Sequence, residues 1–172
     1  MAQHIVTDLT RALREEHHVE LRILEGFEGG LKALEEGKEV LEGTLFSLRE
    51  TAETAKAELE FHFRKEEVAL FPILKPHLGM GGNPIGALET EHREILKGIQ
   101  GFQQALRSLQ EEKGEGFPEA LQAVKEHGHH LLSLLRRHTQ KEDNIFFDLA
   151  EISLTEAEKK LVDERMARFG SL

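Results

Sequence analysis

The chain of 172 residues contains no cysteine, no tryptophan and no tyrosine, and it has only four prolines. Without cysteine, disulfides, thiolate zinc sites and cysteine nucleophiles are excluded together, and the lack fits a reducing compartment. Without tyrosine, tryptophan or cysteine, no side chain stands ready to carry a radical or an electron, which counts against an enzyme that turns over by redox steps. No apolar run approaches the roughly 20 residues that span a bilayer. Met1 to Arg14 carries Asp8 and alternates polar with apolar residues, so it does not read as a secretory signal. Positive charge is also scarce: 22 Lys and Arg against 32 Asp and Glu give a formal net charge of −10, which argues against nucleic acid and anionic membrane as partners. A soluble cytoplasmic protein is the expectation. No protein partner is indicated.

What is present is helical periodicity. Apolar residues recur at helical spacing from His4 to about Glu36 (Ile5, Leu9, Leu13, Leu21, Leu24, Phe27 or Glu28, Leu31, Leu34), with His17 filling the gap between Leu13 and Leu21. Gly37 marks a turn. A second stripe runs from about Glu39 to Leu74 through Leu45, Leu48, Ala52, Ala55, Leu59, His62 and Glu66, and Pro72 and Pro76 predict its kink or end. The segment from Gly79 to Pro84 is the strongest break. A third stripe follows to about Glu112 (Leu88, His92, Ile95 or Leu96, Ile99, Phe102, Leu106, Leu109), and a fourth from about Pro118 to Leu149 (Leu121, Val124, His127, Leu131, Leu134 or Leu135, His138, Glu142, Ile145). Thr155-Glu156-Ala157-Glu158 reads as a cap and acidic first turn of a short tail helix. Gly29 and Gly30 weaken the first helix by about 1 kcal/mol each relative to Ala, which makes sense only where a neighbouring helix approaches closely. The pattern predicts an all-α, up-down-up-down four-helix bundle with a short fifth helix over about 155–169. The expectation is a single domain, 1–172.

The two halves repeat. His62 to Phe71 and His138 to Phe147 both read H-x-x-K-E-[ED]-x-x-[LF]-F, and Glu16-His17 to Gly26-Phe27 matches Glu91-His92 to Gly101-Phe102. Two hairpins, about 4–78 and 84–149, each supply a lone histidine and then a His-x-x-x-Glu. On a helix four residues turn through about 400°, so His62 and Glu66 share one face, as do His138 and Glu142.

Ten histidines are many for this length, and four of them interrupt apolar stripes in register. One histidine on an apolar stripe is more often a satisfied core residue than a ligand, and Glu is frequent enough that a single His-x-x-x-Glu carries little. The agreement of all six positions is the signal. Burying His17, His62, Glu66, His92, His138 and Glu142 without a cation would cost several kcal/mol. Two first-row metal ions bridged by the two carboxylates, with two imidazoles on each ion, remove that cost. His18 competes with His17, and the repeat register favours His17. His129 and His130 lie off the face of His138, His127 lies about 16 Å down the helix, and His4 and His77 sit near chain or helix ends. A helical bundle whose histidines bind nothing is the opposing reading.

This pattern resembles the twice-repeated His…His-x-x-x-Glu signature of the hemerythrin-like (HHE cation-binding) family, over nearly the whole chain. The resemblance implies the hemerythrin four-helix bundle and a non-haem di-iron centre of two Fe ions, oxo- or hydroxo-bridged and spanned by Glu66 and Glu142. Imidazole and carboxylate also suit Zn or Mn. Oxygen-carrying hemerythrins have a fifth histidine where this chain has Leu96. They also use an aspartate five residues after the last histidine, where Asp143 stands, about 140° round the helix from His138. Water or a carboxylate such as Glu58 or Glu20 would then complete the shell. The implied function is binding or sensing of O2, NO or iron itself. The alternatives are an enzyme turning over oxygen, peroxide or nitric oxide, and a supplier of iron for iron–sulfur cluster repair. Repair proteins of this pattern usually carry a cysteine-containing segment, which is missing here.

Overall fold

The computed structural model describes residues 10–36, 42–79 and 83–169. All regular elements among them are helical. Helix α1 is Arg11–Glu35 and α2 is Glu42–Lys65; α2 runs on through a π-turn, Glu66–Leu70, into α3, Phe71–Leu74, and a 3₁₀ turn, Lys75–His77. Helix α4 is Pro84–Glu111 and α5 is Phe117–Lys141; α5 continues through a second π-turn, Glu142–Phe146, into α6, Phe147–Ser153, and α7 is Glu156–Ala167. The contacts run α1 to α2, α2 to α4, α4 to α5 and α5 back to α1, which closes an up-down-up-down bundle in chain order. The expected turn at Gly37, the start of the first stripe at His4, Ile5 and Leu9, the start of the second at Glu39, and the middle of the Gly79–Pro84 break all lie outside the described residues, as does Gly170, near which the tail helix is expected to end.

Local chemistry sets the helix starts. The Asn83 side chain accepts a hydrogen bond from the Gly86 N–H at 3.0 Å, with Pro84 in the first turn. Thr155 and Glu158 form the reciprocal capping box of α7.

The bundle helices share one burial pattern. In α1 the buried residues are Leu13, His17, Glu20, Leu24, Phe27, Leu31 and Leu34, steps of four and three in strict alternation. The same alternation runs through α2 (Leu45, Leu48, Ala52, Ala55, Leu59, His62) and through α4 (Ile85, Leu88, His92, Ile95, Ile99, Phe102). A mean step of 3.5 lets helices wind about each other at about 20°.

That alternation corrects three sequence expectations. Leu21 is 46% exposed, because the three-residue step from His17 turns Glu20 inward instead. His127 is exposed and Gly128 takes the inward position, four residues after Val124. Ile145 is 56% exposed, because the π-turn inserts a residue after Glu142 and brings Phe146 and Phe147 to the core.

Close approach explains two glycines. A Cβ on Gly30 would collide with Leu48, and one on Gly128 would come within 2.7 Å of Leu31 and 3.1 Å of Phe102. Gly29 has open space beside it, so nothing in the packing explains that glycine. Pro72 does not end its helix. The chain passes through it after the π-turn, and the guanidinium of Arg165 in α7 lies 3.5 Å from the Val68 carbonyl, which a proline cannot serve. Helical order ends at the 3₁₀ turn containing Pro76.

Two apolar clusters result. One fills the body of the bundle around Phe27, Leu59, Ile99, Phe102 and Leu131. The other, around Leu13, Leu70, Phe71, Leu88, Phe147 and Val162, lies under α7. Along every bundle helix the polar residues of interest fall between the two. Among the described residues no helix is long and apolar enough to cross a membrane.

Candidate metal centre

His17 on α1, His62 on α2, His92 on α4 and His138 on α5 are each at most 2% exposed, and Glu66 and Glu142 are fully buried. His18 is exposed, as are His129 and His130, and His129 pairs with Glu35 at 2.7 Å. His77 pairs with Glu158 at 2.9 Å, and His4 lies outside the described residues.

The six buried residues form two groups of four. His17, His62, Glu66 and Glu142 present ligand atoms within 4.8 Å of one another, and so do Glu66, His92, His138 and Glu142. The two carboxylates belong to both groups. Glu66 sets Oε1 3.5 Å from His62 Nε2 and Oε2 3.3 Å from His92 Nε2. Glu142 sets Oε1 3.2 Å from His138 Nε2 and Oε2 3.4 Å from His17 Nε2. Each carboxylate therefore spans the two pockets, one oxygen to each. The Nε2 atoms of His17 and His62 face each other at 3.1 Å.

The π-turns are part of this arrangement. Both begin at the spanning carboxylate, a placement common at functional sites. The extra residue swings the next aromatic under a histidine: Phe147 stacks on His17 with centroids 5.2 Å apart, and Phe71 on His92 at 5.8 Å. Only the first π-turn has a proline near it; Asp148 stands at the matching place in the second. Proline is therefore not the cause.

Every histidine is oriented through its other nitrogen. Nδ1 of His17 donates to Asp143 at 2.9 Å, that of His62 to Glu16 at 2.9 Å, that of His92 to Glu67 at 2.7 Å and that of His138 to Glu91 at 3.2 Å. A carboxylate on Nδ1 fixes the tautomer that leaves Nε2 as the donor atom and makes that atom more basic. Lys65 and Lys141 anchor Glu16 and Glu91 in turn. The matching residues of the two hairpins thus repeat the same contacts. Sequence reasoning missed Glu16, Glu67 and Glu91 and noted Asp143 only for its spacing from His138, although each of the four is the chain neighbour of one of the six central residues.

The electrostatics are those of a site built for positive charge. Burial opposes a charged His17, but the hydrogen bond to Asp143 and the facing Glu142 outweigh it and raise its pKa to about 9. For His92 burial is likewise overcome, by Glu142 and Glu66, and the pKa rises to about 10. His62 is pushed well above its ordinary value against burial, chiefly by Glu66 and Glu16. For His138 burial prevails and the pKa falls. Glu66, although buried, is held below the usual carboxylate range by His62 and His92.

Hydrogen bonding leaves the centre incomplete. Both oxygens of Glu66, both of Glu142, and Nε2 of His92 and His138 are buried without a hydrogen-bond partner. Polar atoms in that condition are rare, and each costs about 1–3 kcal/mol. All six converge on the two pockets, and their nitrogen and oxygen types are those a first-row transition ion takes.

The sequence profile of the hemerythrin HHE cation-binding domain matches residues 8–150. The chain belongs to the hemerythrin HHE cation-binding family. Comparison with curated protein sequences returned no match. The family match covers all four bundle helices and leaves α7 outside it. The buried His/Glu groups of this hemerythrin-like chain fit metal binding.

Leu96 is only partly buried, and Ile95 faces inward beside His92. Asp143 turns to His17 Nδ1 and to Arg14 rather than into either pocket. Of the carboxylates considered from sequence to complete the shell, Glu58 is exposed and Glu20 is buried.

Proposed function

We propose that the chain is a single hemerythrin-like domain of two hairpin repeats in which His17, His62, Glu66, His92, His138 and Glu142 hold two iron ions, and that it binds or senses O2, NO or iron. The observation that carries this reading is the sharing of Glu66 and Glu142 by two four-residue groups. A lone site would need one carboxylate pointing one way. Two carboxylates with one oxygen toward each pocket suit a pair of cations. Zinc and manganese suit the same donors.

Bound iron would supply a redox-active, electrophilic centre for a small ligand. The protein's own part is support and shielding. Glu16, Glu67, Glu91 and Asp143 hold the imidazoles in one tautomer, and Phe63, Phe71 and Phe147 exclude water. Phe63 lies flat on His92, with centroids 3.9 Å apart and planes 5° from parallel. An apolar surround slows hydrolytic loss of a diatomic ligand. A groove of about 620 Å³ on the outer side of α4 and α5, lined by Glu91, Ile95, Leu134, Lys141 and Ile145 among others, reaches as far as Glu91, the carboxylate bonded to His138.

The test is the spectrum of protein loaded with iron(II) without air and then exposed to O2 or NO. A saturable, stoichiometric spectral change supports gas binding. No response to either gas removes that part of the reading, and continuous gas consumption replaces it with turnover.

A further inference from the structure

The two pockets are built alike except at their floors. Beneath His17 and His62 lies Glu20, one turn after His17 on the inward face of α1 and 4% exposed. Its Oε1 is buried without a hydrogen-bond partner and lies 3.9 Å from His62 Nδ1. Its Oε2 meets only the Thr139 hydroxyl, at 3.5 Å, and Thr139 is itself buried. In the other hairpin the matching residues are Ile95 for Glu20 and Phe63 for Thr139. Both are buried and apolar, and Phe63 stacks on His92. The repeat is thus broken at one polar pair, on one side only.

A structural reason for this pair is lacking. Glu20 makes no ion pair with Lys or Arg among the described residues, and its hydrogen bond to Thr139 is long. Isoleucine fills the same position in the other half. A buried carboxylate with an orphaned oxygen costs more than the isoleucine it could have been. That cost is relieved if a cation stands over it.

We infer that Glu20 is a third carboxylate serving the ion held by His17 and His62, reaching it through one water, and that the two ions are therefore inequivalent. This rests on the proposed pair of metal ions. The His17/His62 ion then has the larger negative charge around it and is the more firmly held. The His92/His138 ion sits over Ile95 and Phe63, beside the open groove, and is the one that exchanges and meets incoming ligands. Sensing of iron or of a gas would start from that second ion.

The experiment follows removal of iron by a competing chelator from protein loaded with iron(II) without air. Wild type, Glu20→Ile and Glu20→Gln are compared. Isoleucine is the residue the other hairpin uses at this place, and glutamine keeps the shape of the glutamate. Wild type is expected to release its iron in two phases of equal amplitude. Both variants are expected to speed the slower phase by about tenfold or more and to leave the faster one unchanged. Metal-free Glu20→Ile is expected to melt above wild type, since an orphaned buried carboxylate is gone. Unchanged slow-phase rates in both variants, with two irons bound, overturn the inference while leaving the paired site standing. Acceleration of the fast phase alone overturns it as well. Wild type that takes up no iron overturns the ligand reading itself, and this inference with it.

Discussion

Glu16 accepts a hydrogen bond from Nδ1 of His62, 2.9 Å away on the next helix, and Glu91 does the same for His138 at 3.2 Å. Each carboxylate sits one residue before the lone histidine of its own hairpin and serves the second histidine of that hairpin. Each is tied to a lysine that precedes a spanning glutamate, Lys65 for Glu16 and Lys141 for Glu91.

Removing that support is expected to loosen the metal without unfolding the chain. Glu16→Gln and Glu91→Gln should each lower iron affinity by about 10- to 100-fold, the usual cost of losing a carboxylate behind a histidine ligand. Glu15→Gln, at a side chain that is 63% exposed, should have no effect. Competition titrations against a chelator of known affinity check this.

The four bundle helices, the capped tail helix, the repeat and the buried status of the six His and Glu residues were legible in the sequence, the last because polar residues in register on otherwise apolar stripes have few explanations. What was not legible depended on a difference of one residue. Choosing Leu21 over Glu20 followed hydrophobicity, whereas the helix face followed the three-four alternation that packing imposes. The same difference separates His127 from Gly128. The π-turns at Glu66 and Glu142 leave no compositional mark, so Ile145 read as core and Phe146 did not. Glu16, Glu67 and Glu91 looked like ordinary surface charge, and Asp143 drew notice only for its spacing from His138. Only the fold shows that each reaches a histidine on another element.

The glycines of α1 give a paired test of packing. Gly29→Ala adds a methyl in open space and should stabilise by up to about 1 kcal/mol through helix propensity. Gly30→Ala drives the same methyl into buried Leu48 and should destabilise by about 1–3 kcal/mol. Urea denaturation of the two variants reads the difference in sign.

Metal-free protein should be most stable at mildly acidic pH and lose stability on either side of that range. His17 and His92 titrate from an ordinary 6.5 to about 9 and about 10 in the fold. Their stabilising contribution is therefore complete below about 6.5 and is lost as pH rises through about 9 and 10. Glu66, Glu16 and Glu91 are lowered from 4.5, so their contribution is present above 4.5 and fades as pH falls below it. Melting curves in the presence of a chelator should peak between these limits. Metal and protons compete for the same nitrogens, so iron binding should release protons and weaken as pH falls. A melting temperature that holds constant from neutral pH to pH 10 would contradict the electrostatic account.

Histidine replacements separate the buried set from the rest. His62→Ala, His138→Ala and His17→Ala should lose most bound iron, while His18→Ala, His129→Ala and His130→Ala keep it. Equal retention in all six variants would contradict the assignment of ligands.

The most direct measurement is the iron content of the reconstituted wild-type chain beside Glu66→Gln and Glu142→Gln. If both carboxylates span two ions, wild type holds two irons per chain and each single variant depletes both positions together, because every pocket uses both residues. One iron per chain in wild type, or a variant that empties one pocket and leaves the other full, would contradict a shared two-carboxylate centre.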